Sequence, residues 1–159
     1  MDYFEFFGLE PRLALDAADL EERFYRLSRQ LHPDRCARGT PAEQQRALEA
    51  AAELNDAYRT LRDPVARAEY VLRRRGMAEC AAADPDLVEE MFELNMEREQ
   101  GGEEFHARIA ALLAEADARL TGLLPCCDEQ PEALGKLRGA LERRKYLARM
   151  KTAETKSAG

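Results

Sequence analysis

The sequence predicts an all-α protein, with a helical hairpin in its N-terminal half and a three-helix bundle in its C-terminal half. Apolar residues recur at spacings of three and four through most of the chain, which is the pattern of helices buried along one side. Capping residues and prolines stand at the starts of several of these segments. No stretch of convincing length shows the alternation of a half-exposed strand.

The first long helix is predicted to follow Asp16, whose carboxylate suits the N-cap position. Pro33 ends this helix, because proline lacks the backbone N–H that a helix interior requires. One face of the helix carries the apolar residues Leu20, Phe24, Leu27 and Leu31. We expect that face to be buried.

A second long helix begins at the sequence GTPAEQQ. Thr40 can cap it, Pro41 can occupy its first position, and Glu43 can close a capping box. Its apolar positions are Ala47, Ala51, Leu54, Tyr58 and Leu61. They repeat at the same spacings as the first stripe, so we expect an antiparallel hairpin with residues 32–40 at its exposed tip.

A third helix is predicted to begin at Asp63-Pro64, again a cap followed by proline. It ends near Gly76, a suitable residue for a C-terminal cap. We therefore assign residues 1–76 to a first domain and residues 77–84 to a linker.

The second domain, residues 85–151, contains three more periodic segments, which predict a three-helix bundle. These segments cover residues 85 to about 100, 103–124 and 131 to about 151. The middle segment is strongly amphipathic, and its apolar positions are Phe105, Ile109, Leu112, Ala116, Leu120 and Leu123. The apolar stripe of the last segment consists of Leu134, Leu137 and Leu141. The polar residues 152–159 are expected to form a flexible tail.

The composition excludes several classes of protein. The net charge of the 159 residues is −7, which argues against nucleic-acid binding, because phosphates attract clustered positive charge. No apolar run approaches the roughly 20 residues that span a membrane. The first residues, MDYFEFFGLEP, lack the features of a secretion signal. We expect a soluble cytoplasmic protein that binds neither nucleic acid nor membranes.

Neither a metal nor another cofactor is expected. The four cysteines include no CxxC pair, and Cys126 and Cys127 are adjacent, which is poor geometry for two ligands of one metal. No glycine-rich phosphate loop is present either. A metal-dependent hydrolase using His32, Asp34 and Cys36 is the rival from another class. It would need further convergent ligands, and the only other histidine, His106, is far along the chain.

The tip contains the sequence His32-Pro33-Asp34. The proline restricts the preceding residue to extended backbone, while the imidazole and the carboxylate can hydrogen-bond or ion-pair with a partner. Taken alone, the three residues also fit an ordinary turn. Five arginines surround them in the sequence: Arg23, Arg26, Arg29, Arg35 and Arg38. This basic rim suits docking to an acidic partner, but it fits a solvated charged surface as well.

Residues 1–76 resemble a J-domain, the module that stimulates ATP hydrolysis by 70-kilodalton heat-shock chaperones. The matching segments are, in order, DYFEFFGL, LHPD, NDAYRTLRDP and RAEY. The resemblance implies that the histidine, proline and aspartate trigger the chaperone, and that the basic helix before them docks on it. The predicted chaperone-binding residues are Arg26, Arg29, His32, Pro33, Asp34 and Arg35.

The chain as a whole is similar to the HscB family, co-chaperones of iron-sulfur cluster biogenesis. RDPVARAEYVLRRRG resembles the family's third J-domain helix, and DPDLVEEMFELNMERE resembles the first helix of its C-terminal domain. Asn95 and Met96 stand where the family pattern has a basic and an acidic residue. The resemblance implies two partners, an HscA-like chaperone and an IscU-like scaffold protein.

The helix that starts at residue 85 carries two apolar stripes. Leu87, Met91 and Leu94 suffice for the bundle core. The second stripe, with its flanking acids and one residue of the last helix, gives the predicted scaffold-binding residues Val88, Glu89, Phe92, Glu93, Met96 and Tyr146. Deeper burial of this helix would also explain a second apolar stripe.

The function that we predict is that of a co-chaperone, not an enzyme. It stimulates the ATPase of the HscA-like chaperone and delivers the IscU-like scaffold to it, which aids the maturation of iron-sulfur proteins. The alternative is a J-domain adaptor that delivers a different client protein to the chaperone.

Overall fold

The computed structural model describes residues 2–32, 39–77, 85–100 and 102–157. Regular structure in these ranges is entirely helical, which confirms the all-α prediction. The α-helices are α1 (Tyr3–Phe7), α2 (Ala17–Gln30), α3 (Pro41–Arg62), α4 (Pro64–Arg74), α5 (Pro85–Gln100), α6 (Glu103–Glu129) and α7 (Leu134–Ser157), with a 3-10 helix at Pro131–Ala133. None of these helices is long and apolar enough to cross a membrane.

The chain divides into two compact units, residues 1–70 and 71–159. The division lies inside α4, whereas the sequence-based boundary at residue 76 follows the end of that helix. We call the two parts the N-terminal unit and the C-terminal unit.

The helix starts of the N-terminal unit follow the sequence signals. The Asp16 carboxylate accepts hydrogen bonds from the Ala18 and Asp19 N–H groups at the start of α2. Thr40 and Glu43 form the complete capping box of α3. The Asp63 carboxylate accepts from the Val65 N–H at 2.7 Å and thereby caps α4. These bonds satisfy N–H groups that have no partner within their helices.

Helix α1 was not among the predicted elements, although its two ends carry recognisable signals. The Asp2 side chain accepts a hydrogen bond from the Phe4 N–H, and Gly8 has the left-handed φ of 64° that ends the helix. Gly76 plays the same part after α4, with φ 71°, and the Met77 N–H donates to the Leu72 carbonyl at 2.8 Å. The predicted C-terminal cap at Gly76 is therefore confirmed.

Helices α2 and α3 pack as the predicted hairpin. The rings of Phe24 and Tyr58 stack with centroids 4.1 Å apart, one from each helix. Leu20 of α2 and Leu54 and Leu61 of α3 are fully buried. Leu27 of the α2 stripe is only half-buried. The hairpin core is therefore concentrated at the end of α2 that lies farthest from the tip.

The RAEY segment of α4 ties the N-terminal unit together. Arg67 is only 7% exposed, and its guanidinium donates hydrogen bonds to the backbone carbonyls of Leu13 and Leu61. The Leu61 carbonyl belongs to the last turn of α3, where carbonyls have no partner within the helix. Tyr70 stacks on Tyr3 and accepts a hydrogen bond from its N–H at 2.9 Å. This segment thus joins α1, α3 and the loop before α2.

The C-terminal unit has a leucine-rich core between α6 and α7. Its fully buried side chains are Leu94, Ile109, Leu120, Cys127, Leu137, Leu141 and Leu147. The periodic positions that predicted α6 and α7 supply most of this set, whereas α5 contributes Leu94 alone.

Two ends in this unit differ from the predicted ones. Helix α6 continues through Pro125 to Glu129, because proline deprives only the Thr121 carbonyl of a partner and Thr121 is exposed to water. Helix α7 continues to Ser157, beyond the predicted end near residue 151, so residues 152–157 are helical. The Thr152 hydroxyl donates to the Ala148 carbonyl within that helix at 2.9 Å.

We predict that Arg67→Met lowers the free energy of unfolding by about 3 kcal/mol. Methionine keeps most of the volume but leaves two buried carbonyls without their charged donor. Denaturation followed by circular dichroism measures the loss.

The matched control is Arg59→Met. Arg59 is 81% exposed, and its ion pair with Asp56 spans 3.8 Å, so this change should stay within about 0.5 kcal/mol of the parent. Equal losses in the two variants would contradict the role assigned to Arg67.

Candidate partner-binding surfaces

The structure describes only the first residue of the predicted trigger motif. His32 follows directly on α2 and is exposed. Pro33, Asp34 and Arg35 lie outside the described residues. The helix ends on either side of this segment are capped. The Leu31 N–H donates to the Leu27 carbonyl at the end of α2, and Thr40 caps the start of α3.

Part of the hydrolase alternative lies outside the described residues as well, namely Asp34 and Cys36. Across residues 2–32, 39–77, 85–100 and 102–157, no group of three or more His, Cys, Asp or Glu side chains could hold a metal ion. The ring of His106 instead lies 2.7 Å from the Gly102 carbonyl at the start of α6.

One face of α2 presents a basic surface to solvent. Arg26 and Arg29 are both exposed on it. Tyr25, 54% exposed, adds an aromatic ring beside Arg26. Tyr25 is not among the residues predicted to bind the chaperone, although its position outside the apolar stripe of α2 indicates exposure. The α2 surface therefore combines positive charge with an exposed aromatic side chain.

Arg23 does not belong to this surface, which corrects the predicted basic rim. Its guanidinium forms an ion pair with Asp19 at 2.9 Å and donates hydrogen bonds to the carbonyls of Phe7 and Gly8. Both carbonyls are at the C-terminal end of α1, where a cation is favourable. Spacing along α2 could not reveal this, because the partners come from another element.

Helix α5 carries the exposed apolar stripe. Val88 is 49% exposed, Phe92 67% and Met96 50%. Leu94 is 1% exposed, and Leu87 and Met91 on the same side are half-buried. Glu89 and Glu93 lie beside the exposed stripe and are themselves exposed. We call Val88, Phe92 and Met96 with these two acids the α5 patch.

Tyr146 does not extend this patch as a free apolar side chain, contrary to the sequence analysis. Its ring packs against the core of the C-terminal unit. Its hydroxyl donates to the Met91 carbonyl at 3.0 Å and accepts a hydrogen bond from the Asn95 amide at 2.7 Å. Removal from water raises the pKa of Tyr146, so the hydroxyl keeps the proton that it donates.

Ion pairs hold the opposite edge of α5. The Arg143 guanidinium of α7 donates two hydrogen bonds of 2.7 Å to the Glu90 carboxylate. These bonds lower the pKa of Glu90 and keep it charged. Glu97 forms an ion pair with Arg108 of α6 through one guanidinium nitrogen. Asn95, Glu90 and Glu97 were not selected from the sequence as structural anchors, because their partners are distant in the chain.

Known proteins are similar to this chain over its N-terminal unit and over nearly its whole length. The family model "DnaJ domain" matches residues 2–70. A "Co-chaperone protein HscB homolog" of Vibrio cholerae (strain O395) is 35% identical over 153 residues, which covers 93% of this chain and 84% of the relative. The homologue of the same description in Vibrio vulnificus (strain YJ016) is 36% identical over 125 residues, covering 76% and 72%.

Solved structures give the same result. "Chaperone HscB from Vibrio cholerae" superposes with a TM-score of 0.70 at 31% identity, covering 99% of this chain and 98% of the other. The human co-chaperone protein HscB superposes with a TM-score of 0.80 over 99% and 82%, but its 22% identity supports the fold alone. Because the J-domain match covers the N-terminal unit and the HscB similarity extends over nearly the whole chain, the chain belongs to the HscB family of J-domain co-chaperones.

Proposed function

We propose that this co-chaperone stimulates ATP hydrolysis by an HscA-like 70-kilodalton heat-shock chaperone and delivers an IscU-like iron-sulfur scaffold protein to it. The observation that carries the proposal is the α5 patch, an exposed apolar surface in the C-terminal unit of an HscB-family chain. Exposed apolar stripes of this kind are typical of protein-binding sites. The protein acts in the cytoplasm and adds no catalytic group of its own.

The N-terminal unit supports the chaperone half of the proposal. Arg26 and Arg29 offer positive charge, and Tyr25 offers an aromatic contact beside them. Charge on the rim of an interface mainly accelerates encounter with an oppositely charged partner. The docked hairpin brings the His32-Pro33-Asp34 segment to the chaperone, where it favours the conformation that hydrolyses ATP.

The C-terminal unit supports the client half. Three apolar side chains of the α5 patch lose water on binding, and Glu89 and Glu93 select a partner with basic groups at the edge. Met96 stands where the family pattern has an acidic residue, so this patch is more apolar at its C-terminal end than the pattern requires. This difference from the family pattern favours a second candidate function, that of a J-domain adaptor for a different client.

The trigger is tested by Asp34→Asn. The substitution preserves size and removes the charge, so we expect stability within about 0.5 kcal/mol of the parent but a collapse of ATPase stimulation. Steady-state ATP hydrolysis by the cognate chaperone, measured at saturating co-chaperone, reports the change. Asp56→Asn on α3 is the control and should stimulate normally. Full stimulation by Asp34→Asn would show that the carboxylate is not the trigger.

The docking surface is tested by the double variant Arg26→Glu, Arg29→Glu. We expect much weaker chaperone binding at low salt, and we expect salt to weaken binding of the parent as the screening length falls to about 8 Å near 0.15 M. Titration of the chaperone at two ionic strengths measures both effects.

The control is the double variant Arg46→Glu, Arg59→Glu, which makes the same charge change on α3. We expect it to bind the chaperone more tightly than the α2 double variant does. Scaffold affinity should be unchanged in both double variants. Normal docking of the α2 variant at low salt is the result that would contradict the assignment.

The client surface is tested by Phe92→Ala. Because Phe92 is 67% exposed, melting should change little, while loss of an aromatic anchor should cost about 2 kcal/mol or more in scaffold binding, roughly thirtyfold. Calorimetric titration with the scaffold measures the affinity.

Leu48→Ala is the control, since Leu48 is 53% exposed on α3 and lies outside the patch. Tyr146→Ala should lose stability, unlike Phe92→Ala, because the Tyr146 ring packs on the core. Unchanged scaffold affinity in Phe92→Ala would refute the α5 patch as the client surface.

A further inference from the structure

Helix α5 has two apolar faces, and apolar burial does not by itself decide which one turns inward. Val88, Phe92 and Met96 are offset from Leu87, Met91 and Leu94 by about 100 to 140° around the helix, given 3.6 residues per turn. The hydrophobic effect is non-directional and depends only on the area removed from water. A helix rolled about its own axis could therefore bury the outer stripe in place of the inner one.

The inner stripe gives only a weak preference for the observed rotation. Leu94 is the one fully buried side chain of α5, while Leu87 and Met91 remain half-exposed. Phe92, on the outer stripe, has the largest apolar side chain of the helix and is 67% exposed. The observed arrangement must therefore be held by contacts that depend on direction.

Asn95 provides such a contact at the boundary between the two faces. It lies about 40° from Met91 and about 60° from Phe92 around α5. Its amide donates to the Met91 carbonyl at 2.9 Å and to the Tyr146 hydroxyl at 2.7 Å. The same hydroxyl donates back to the Met91 carbonyl. The three groups form a closed set of hydrogen bonds between α5 and α7.

A roll that buried the outer stripe would break this set. It would swing Asn95 past the core to the opposite side of α5, away from Tyr146, so that both hydrogen bonds between α5 and the Tyr146 hydroxyl would be lost. The same motion would turn Glu90 and Glu97 away from Arg143 and Arg108. A polar contact at an apolar interface can specify the arrangement of a helix in this way, because the alternative arrangement loses that contact.

We propose that Asn95 and Tyr146 form a rotation lock, which keeps the Val88, Phe92 and Met96 stripe of α5 toward solvent. In this role Asn95 is a positioning residue, since it acts through the rotation of α5. The lock deepens the proposed function, because it rests on the α5 patch being the client surface, and it makes client affinity depend on the fraction of molecules with the patch exposed.

The rotation can be followed directly, because the chain contains no tryptophan. Phe92→Trp places a single fluorophore on the outer stripe of the full-length protein. Asn95→Leu with Tyr146→Phe removes the lock while preserving approximate volume and the aromatic ring. We expect the emission to shift to shorter wavelength and acrylamide quenching to fall by about half or more as molecules roll the stripe inward.

Scaffold affinity is measured on the same lock variants with Phe92 restored. The apparent Kd should rise by the factor by which the exposed fraction falls, so a halved fraction gives about a twofold rise. Asp117→Asn is the matched control, because Asp117 pairs with Arg144 and links α6 to α7 without touching α5. It should leave both quenching and affinity unchanged.

Circular dichroism establishes that each variant keeps its helix content. If the double variant fails to fold, Tyr146→Phe alone removes only the hydroxyl and should change quenching in the same direction. Folded lock variants with unchanged quenching would overturn the rotation lock. Reduced quenching with no scaffold binding even by the parent would support the lock and refute the proposed client.

Discussion

The rotation of α5 about its own axis is the constraint on which the C-terminal unit depends. The helix must bury Leu94 and still leave Phe92 in water, and the two residues are only two positions apart. Apolar packing contributes stability to either orientation, so directional bonds from Arg143 and Tyr146 determine which side faces the core. Polar contacts on both edges of α5 thus keep its apolar patch exposed.

In the N-terminal unit, the buried side chain of Arg67 joins separate elements of the fold. The ends of α2 and α3 that lie away from residues 32–40 are held by contacts with other elements of the unit. Arg67 bonds the last turn of α3 to the loop before α2, and Arg23 bonds α2 to the end of α1. Arg67 and Arg23 therefore serve the fold, whereas Arg26 and Arg29 are exposed on α2.

The sequence was sufficient for the parts of the fold that depend on local signals. Thr40, Asp63 and Gly76 were correctly placed at helix ends because a cap needs only neighbours within a few residues. The apolar stripes of α6 and α7 likewise depend only on spacing within each helix, so the sequence predicts most of the core between them. Tyr146 and Arg23 were misplaced because their partners come from other helices, and periodicity carries no information about them. Helix α7 extends through the polar residues 152–157, because polarity alone does not end a helix.

We propose that one molecule engages both partners, so that client binding and chaperone stimulation are coupled. Steady-state ATP hydrolysis by the cognate HscA-like chaperone is the most direct measurement, made with this protein alone, with the IscU-like scaffold alone and with both together. The account predicts that the two together stimulate hydrolysis by more than the sum of their separate effects. Stimulation no greater than that sum would contradict it.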